Sequence, residues 1–536
     1  MMLGMSRGAS WAAWSVAAVV AIVHFAVAGQ YDIFRNELYF IVCGRHPAFG
    51  YVDQPPLVPL IAAATQWGGV HTWLLRAPAA LSAIFIVPLT VLLAQLLGAN
   101  TRAAWLAAIA AATATLAVAM SATLGTSTFE AFDFTAIALL VTLAYLRDMP
   151  RALWWAGVVA GLAFETRYGV LFWGVGLVVG LAAFGPRSLL RSRDFWIGAG
   201  IATLIALPNV IWQAAHGFPF LELVRNDNAG NFTGSPIAFT LEQILSNNML
   251  LAPLWITGIV APFVSRRFAP FRFLSATFVI TAVLVVVTHG KMYYMAGAYP
   301  TMLALGAAAC TRLWRWFVAL WAVLAVANAA SALPLVLPVI SPVALQHMMS
   351  NMSYRPKPVE AAGIGAPLMQ MFSDQFGWRD LAGTVETVYN ALPPDQRAKA
   401  AIFASNYGEA AAVDFYGRGL PPALSGNNNY YLWGPRGYDG SLVIGINEST
   451  ADWSSICGSV REVARFGTSP FAMPYEVHRP IVLCRNMHPP LPQIWPRFKH
   501  YGIENLGAQH PSTSSPSTSS PSTSSPSTSS PSTSSG

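Results

Sequence analysis

The sequence predicts an all-α polytopic membrane domain of about eleven transmembrane helices, followed by a small extracytoplasmic α/β domain. Hydrophobic residues make up 54% of the 536 residues and charged residues only 10%, against about 25% charged residues in soluble proteins. Long apolar segments alternate with short arginine-rich connections, which is typical of membrane helices. Past Pro342 the composition becomes that of a soluble domain, which predicts the second part.

Apolar segments of about 17–25 residues can cross the hydrocarbon core as helices, and shorter ones occur where polar sites interrupt them. The predicted spans are 11–28, 73–97, 103–121, 130–146, 152–164, 168–184, 195–214, 249–264, 273–288, 297–311 and 316–338. The first segment has no small-residue cleavage site followed by a mature domain. It is therefore predicted to be a retained helix and not a removed signal peptide.

Basic residues fall in alternate connections between these spans, for example Arg7, Arg102, Arg147 and Arg312. Lys and Arg are enriched in cytoplasmic loops, so this side is predicted to be cytoplasmic. The net charge of +7 then reflects membrane topology, and no nucleic-acid partner is expected. The extracytoplasmic side receives residues 29–72, 122–129, 165–167, 215–248, 289–296 and everything after about 339.

The predicted organisation is a transmembrane domain at 1–339, an extracytoplasmic α/β domain at 340–505 and a disordered tail at 506–536. In the second domain, residues 400–405 and 441–446 have strand-like patterns and residues 381–392 have helical periodicity. The tail consists of PSTSS repeats, which cannot bury apolar surface.

The four cysteines are too few for a disulfide scaffold, and no CxxC or His/Cys spacing indicates structural zinc. Two of them, Cys457 and Cys484, lie in the predicted outer domain, where an oxidising compartment would permit a bridge. A disulfide and two reduced, buried cysteines are both compatible with the sequence.

The first connection, Tyr31 to Leu60, concentrates charge in a chain where charge is scarce. Pro55 and Pro56 fix φ twice and disfavour a helix before them, which turns the polar segment back towards the membrane. Its acids Glu37 and Asp53 would then lie near the membrane surface. An ordinary extracytoplasmic loop is the alternative interpretation.

Further ionisable residues fall on the same predicted face, and ionisable groups at a membrane boundary are candidates for function. They are Glu130, Asp133, Glu165, Arg167, His289 and Lys291, with Tyr293 and Tyr294 nearby. Cations and tyrosines next to carboxylates suit a phosphorylated lipid, because the cations bind phosphate and a carboxylate can accept a proton from a hydroxyl. The alternatives are a structural Glu165–Arg167 ion pair, a snorkelling Lys291 and a structural His289.

Several segments resemble the GT-C membrane glycosyltransferases, and in particular the protein O-mannosyltransferase group (glycosyltransferase family 39), which includes the aminoarabinose lipid A transferases. The segments are RNELYF…GYVDQPPL, TSTFEAFDF, GLAFETRYG, PNVIWQAAHGFPFLE, GKMYYMAGAYP and NYGEAAAVDFYG. The resemblance implies a bacterial inner-membrane enzyme that moves a sugar, with inversion, from a polyprenyl-phosphate donor. The implied acceptor is an extracytoplasmic lipid A, protein or envelope glycan.

The resemblance also implies roles for particular residues. Glu37 matches the second acid of the family's acidic pair, Asp53 the acid before the Pro-Pro turn, and Lys291 a lysine near the lipid phosphate. Two departures stand out: Asn36 occupies the position of the first acid, and Arg167 replaces an expected lysine.

We therefore expect Asp53 or Glu37 to act as the base and Lys291 with Arg167 to bind the phosphate. Tyr294 is a further possible donor, and Glu130 and Asp133 are the next candidates for the chemistry. A divalent ion held by Asp53 and His289 stays open.

Two other functions stay open. A non-catalytic transporter or scaffold would more often show internal repeats, and the sequence has none between its halves. An inactive relative of the same fold is the other, and Asn36 in place of an acid is the argument for it.

Overall fold

The computed structural model describes residues 5–230, 235–353 and 363–502. The predicted tail at 506–536 lies outside the described residues. The helices before residue 353 are α1 (Arg7–Val27), α2 (Arg35–Arg45), α3 (Leu57–Thr65), α4 (Thr72–Leu96), α5 (Thr101–Thr113), α6 (Thr115–Met120), α7 (Glu130–Leu146), α8 (Ala152–Thr166), α9 (Val170–Phe184), α10 (Arg187–Arg191), α11 (Arg193–Ala215), α12 (Pro219–Gly230), α13 (Pro236–Ser246), α14 (Ala252–Val264), α15 (Arg272–Val287), α16 (Tyr299–Ala309), α17 (Arg315–Val336) and α18 (Pro342–Ser350).

The region after residue 363 combines short helices with one sheet. Its helices are α19 (Gln370–Ser373), α20 (Trp378–Asn390), α21 (Pro394–Arg397), α22 (Tyr407–Tyr416), α23 (Asn428–Trp433), α24 (Thr450–Trp453) and α25 (Leu491–Ile494). Its strands are β1 (Ala400–Ala404), β2 (Leu442–Ile446), β3 (Cys457–Phe466) and β4 (Arg479–Met487). Short 3₁₀ segments include Thr126–Phe129 and Met292–Ala298.

A helix lies at each of the eleven predicted apolar segments, but the count of eleven spans is not confirmed. Among the described residues, six helical stretches are long and apolar enough to cross a membrane, or seven if the bent pair Pro236–Ser246 and Met249–Val264 is one span. The others are short or broken. The segment 103–121, for instance, is interrupted at Ala114, whose backbone is not helical (φ −71°, ψ 89°).

Helices α8 and α11 pack with their backbones in contact, because glycines face each other where they cross. A Cβ placed on Gly157 would lie 2.0 Å from the carbonyl oxygen of Gly198. Any side chain at Gly157 would therefore push the two helices apart. This close packing brings the turn at Arg167, after α8, next to the end of α11.

The sheet has the strand order β1-β2-β4-β3. Strand β1 pairs parallel with β2, and the other two pairings are antiparallel. The strand-like segments at 400–405 and 441–446 are confirmed as β1 and β2, while β3 and β4 were not predicted. The disulfide between Cys457 and Cys484 is confirmed, with Cα atoms 5.6 Å apart; it links the two antiparallel strands that the sequence did not reveal.

The first connection is not an exposed loop, because it contains helix α2, in which eight of the eleven residues are buried. Leu38 and Tyr39 of α2 are fully buried in the same hydrophobic core as Ile402 of β1 and Val413 of α22. Residues near the beginning of the chain therefore complete the core of the region that carries the sheet. The predicted division at residue 339 separates two compositions, but it does not separate two cores.

A buried acid next to this core should make folding stability depend on pH. Burial, and after it the charge of Glu448, raises the pKa of Glu409 to about 7, although hydrogen bonds from Asn447 and Ser405 oppose the rise. A carboxyl whose pKa is raised by folding stabilises the protein below its unfolded pKa, and this contribution is lost as pH rises through the folded value. We expect the thermal unfolding midpoint to fall between pH 4.5 and pH 7.

The variant Glu409→Gln should flatten this part of the pH profile, because the amide cannot titrate. Glu462→Gln is the matched control, since Glu462 forms an ion pair with Arg465 in which both side chains are largely exposed. An unchanged slope in Glu409→Gln would contradict the assignment.

Candidate functional site

A cavity of about 920 Å³ lies between the membrane helices and the region that carries the sheet. We call it the main cavity. Five of the eight sequence-predicted site residues line it: Asp53, Arg167, His289, Lys291 and Tyr294. The other three, Glu37, Glu130 and Asp133, do not line it. The connections that supply the lining are those predicted to share one face of the membrane.

Asp53 is held at the wall by α2 and α23. The hydroxyl of Tyr39 donates a hydrogen bond to Oδ1 of Asp53 (3.1 Å) and accepts one from the backbone N–H of Asn429 (3.1 Å). Burial, followed by the charge of Asp53, keeps the pKa of Tyr39 well above its usual value. The Tyr39 hydroxyl therefore stays protonated as a donor. Asn429 also accepts from the N–H of Val52 (2.8 Å), which fixes the turn that carries Asp53.

Arg167 and Lys291 bring positive charge to the same cavity. The Nε atom of Arg167 lies 3.4 Å from Oε1 of Glu130, and its guanidinium carbon lies 4.3 Å from the ring centre of Tyr294. Lys291 is the residue before the 3₁₀ segment Met292–Ala298 and lies two residues after His289. Glu130 thus orients Arg167 from outside the lining, and Tyr294 presents a ring face to that cation.

The structural ion pair considered between Glu165 and Arg167 is not formed. Arg167 pairs with Glu130, whereas Glu165 accepts a hydrogen bond from Asn209 (3.3 Å). Asn209 in turn accepts from the hydroxyl of Tyr168 (2.9 Å), a cavity-lining residue that the sequence analysis did not select. The sequence could have indicated Tyr168 through its position next to Arg167 in the segment GLAFETRYG.

Glu37 lies in the protein interior and has four hydrogen-bond donors. Nε and Nη2 of Arg76 donate to its two oxygens (3.2 and 3.1 Å), and the backbone N–H groups of Phe34 and Leu124 donate as well (2.9 Å each). The side chain is fully buried. This carboxylate therefore joins α2, α4 and the turn before α7, and the arrangement suits a structural role rather than proton transfer in the cavity.

Asn36 occupies the position of the expected first acid and lines the cavity. It is hydrogen-bonded to Tyr407, in the region after residue 363. Its Oδ1 accepts from the hydroxyl of Tyr407 (2.7 Å) and from Nε of Arg35 (3.4 Å). Arg35 is buried against Asp374, at 3.5 Å, and Tyr475 donates to the same carboxylate (2.8 Å). A neutral amide therefore accepts two donors where an acid was expected.

Asp133 is buried in α7 and, like Glu130, is not among the residues that line the cavity. The cavity has an apolar wall, formed by Met120, Leu171, Phe172, Phe220, Leu221, Leu223 and Val224. In the described part of the chain, no group of three or more His, Cys, Asp or Glu residues could hold a metal ion.

The arrangement thus places the carboxylate of Asp53, the cations of Arg167 and Lys291 and an apolar wall in one cavity. The cations can bind a phosphate, the wall can accept a hydrocarbon chain, and the carboxylate can accept a proton from a hydroxyl.

Residues 53–212 match the family model described as dolichyl-phosphate-mannose-protein mannosyltransferase. A comparison with curated protein sequences finds no match. ArnT from Cupriavidus metallidurans, in a crystal structure bound to undecaprenyl phosphate, has a TM-score of 0.57 and 13% identity, covering 88% of this chain and 97% of that one. Its apo structure has a TM-score of 0.57 and 13% identity, covering 89% and 98%. The resemblance seen in the sequence motifs is confirmed, and the chain has the GT-C fold of the protein O-mannosyltransferase and ArnT group of membrane glycosyltransferases.

Proposed function

We propose that this protein is an inverting glycosyltransferase that moves a sugar from a polyprenyl-phosphate donor to the hydroxyl of an extracytoplasmic acceptor. The observation that carries the proposal is the composition of the main cavity. Asp53 lines the same space as Arg167 and Lys291, and an apolar wall adjoins them. A phosphate on a long hydrocarbon chain needs both of those surfaces.

The chemistry requires a base and a group that stabilises the leaving phosphate. In the proposed step the acceptor oxygen bonds to the anomeric carbon, and the bond from that carbon to the phosphate oxygen breaks. The acceptor proton passes to Asp53, and the charge that develops on the phosphate is stabilised by Lys291 and Arg167. Glu130 and Tyr294 keep Arg167 in place, since both contact its guanidinium.

Lys291→Ala should weaken binding of polyprenyl phosphate and lower turnover. A charge-assisted hydrogen bond is worth about 1.5–3 kcal/mol, so we expect the dissociation constant to rise by about 10- to 100-fold. The measurement is titration of the protein in nanodiscs with polyprenyl phosphate. Lys499→Ala is the control, because neither Lys499 nor its ion-pair partner Glu222 is a lining residue. Equal affinities of Lys291→Ala and the wild type for polyprenyl phosphate would contradict the proposed role of Lys291 in phosphate binding.

We further propose that the cavity and the sheet region lie on the extracytoplasmic side of a bacterial inner membrane. The support is the distribution of arginines, because the arginine-containing connections at Arg102, Arg147, Arg187, Arg266 and Arg312 do not line the cavity. We expect a periplasm-dependent reporter fused after residue 345 to be active and a cytoplasm-dependent one to be inactive. The reverse pattern would contradict this topology.

The sugar and the acceptor are proposed at the level of their chemical class. The transferred group is a hexose or a pentose, and the acceptor is a lipid, a protein or an envelope glycan. Mass analysis of lipid that co-purifies with the protein identifies the sugar directly. Transfer assays with each acceptor class then separate the three acceptors. A transporter or scaffold would need no base beside the phosphate-binding cations, and Asp53 at that place favours the transferase.

A further inference from the structure

A second cavity, of about 320 Å³, lies within the membrane helices. We call it the second cavity. Its lining comes from α1, α4, α5, α6 and α17 and consists mainly of valine, alanine, leucine and isoleucine side chains. An engineered apolar cavity of about 150 Å³ stays dry and binds benzene, so a larger aliphatic one is a good site for hydrocarbon and a poor one for water.

Three polar side chains line the second cavity, and two of them are satisfied within their own helices. Thr113 donates to the carbonyl of Ile109 (2.7 Å), and Ser121 to that of Val118 (2.9 Å). His24 differs. It is only 4% exposed, and in the described ranges its ring has no hydrogen-bond partner. Buried polar groups are normally hydrogen-bonded, so His24 points to a missing acceptor or donor.

We propose that the second cavity binds one acyl chain of a membrane glycerophospholipid and that His24 donates a hydrogen bond to its ester carbonyl. His24 lies in the last turn of α1, close to the membrane surface where the ester groups of such lipids lie. A neutral imidazole has one N–H to donate. An isoprenoid chain has no acceptor along its hydrocarbon, so it would leave His24 unsatisfied.

The bound chain would support one wall of the main cavity, because α6 and the turn after it separate the two cavities. Ala117, Val118 and Ser121 face the second cavity, whereas Met120 and Thr123 face the main cavity. A lipid behind α6 limits how far this wall can move. Occupancy of the second cavity should therefore favour donor binding, and this consequence alone rests on the proposed function.

The test compares two alanines on α17. Ala330 lines the second cavity and Ala327 does not, and both are exposed on the helix surface. Ala330→Phe fills the cavity and Ala327→Phe adds the same bulk elsewhere. Purified proteins are incubated with phosphatidylglycerol vesicles, returned to detergent and examined by native mass spectrometry. We expect wild type and Ala327→Phe to retain one phospholipid and Ala330→Phe to lose it.

His24→Leu keeps the apolar lining but removes the donor. We expect it to weaken retention by up to about tenfold, the effect of one hydrogen bond. Equal retention by Ala330→Phe and Ala327→Phe would overturn the proposal, as would retention of polyprenyl phosphate in place of the phospholipid. Thermal unfolding in detergent shows whether Ala330→Phe is misfolded. If it is, His24→Leu remains the test, and unchanged retention of the phospholipid by His24→Leu would overturn the proposed hydrogen bond. None of these readouts uses sugar transfer, so their failure is separate from failure of the proposed function.

Discussion

Asp53→Asn should lower turnover by about 10²- to 10⁴-fold, the usual effect of removing a general base. The amide keeps the size of the side chain and can still accept the hydrogen bond from Tyr39, so the wall of the cavity should stay in place. Binding of polyprenyl phosphate should change little, because the cations that bind it remain. The measurement is sugar transfer under single-turnover conditions, together with a donor titration.

Asp32→Asn is the control for this variant. Asp32 belongs to the same connection, but it pairs with Arg379 and is not part of the cavity lining. It should retain turnover close to that of the wild type. Full activity in Asp53→Asn would place the chemistry elsewhere, and Glu130 and Asp133 would be the next acids to test.

Glu37→Gln should destabilise the protein by about 3–5 kcal/mol, because it leaves the buried guanidinium of Arg76 without its counter-charge. The two side chains are 0% and 2% exposed and 3.1 Å apart, so water cannot replace the lost partner. Arg76 also donates to Gln375 (3.0 Å), which extends the effect to the region after residue 363. The measurement is the thermal midpoint of the purified protein in detergent.

Glu462→Gln is again the suitable comparison. It removes an ion pair between side chains that are 39% and 55% exposed, and such surface pairs contribute only about 0–1 kcal/mol. Arg76 also donates to the backbone carbonyls of Ala28 (3.0 Å) and Asp32 (2.8 Å). A small effect in both variants would show that these carbonyls and Gln375 compensate the Arg76 charge without Glu37.

The sequence predicted which connections meet, because the positions of arginines divide them between two sides. It also predicted most of the cavity's charged residues, since ionisable groups are rare in this chain. It could not separate Glu37 from Asp53. Both lie in the same connection, and their difference comes from Arg76 and Tyr39, whose contacts depend on the packing of separate helices.

Other parts of the site depend on contacts between distant residues. Tyr407 reaches Asn36 across more than 370 positions of the sequence, and no local pattern encodes such a pair. The length of a helix is similarly uncertain, because a break at one residue such as Ala114 depends on the surrounding helices. Strand β3 was missed because half of its residues are exposed and its pattern lacks the apolar run that identified β1 and β2. Strand β4 does contain such a run, the buried segment 481–484, so exposure does not explain why it was missed.

The core shared by α2 and the sheet has a consequence for biosynthesis. Helix α2 ends at Arg45, while its core partner Leu483 is translated more than 430 residues later. At about 5–20 residues per second, the ribosome needs on the order of tens of seconds to cover that distance. During this interval α2 can pack against early residues such as Val58 and Leu75, but it lacks its final partners from the sheet region. In a nascent chain stopped before β4, the core next to the connection that carries Asp53 should therefore be incomplete. Factors that protect exposed apolar segments should bind this region until translation is complete.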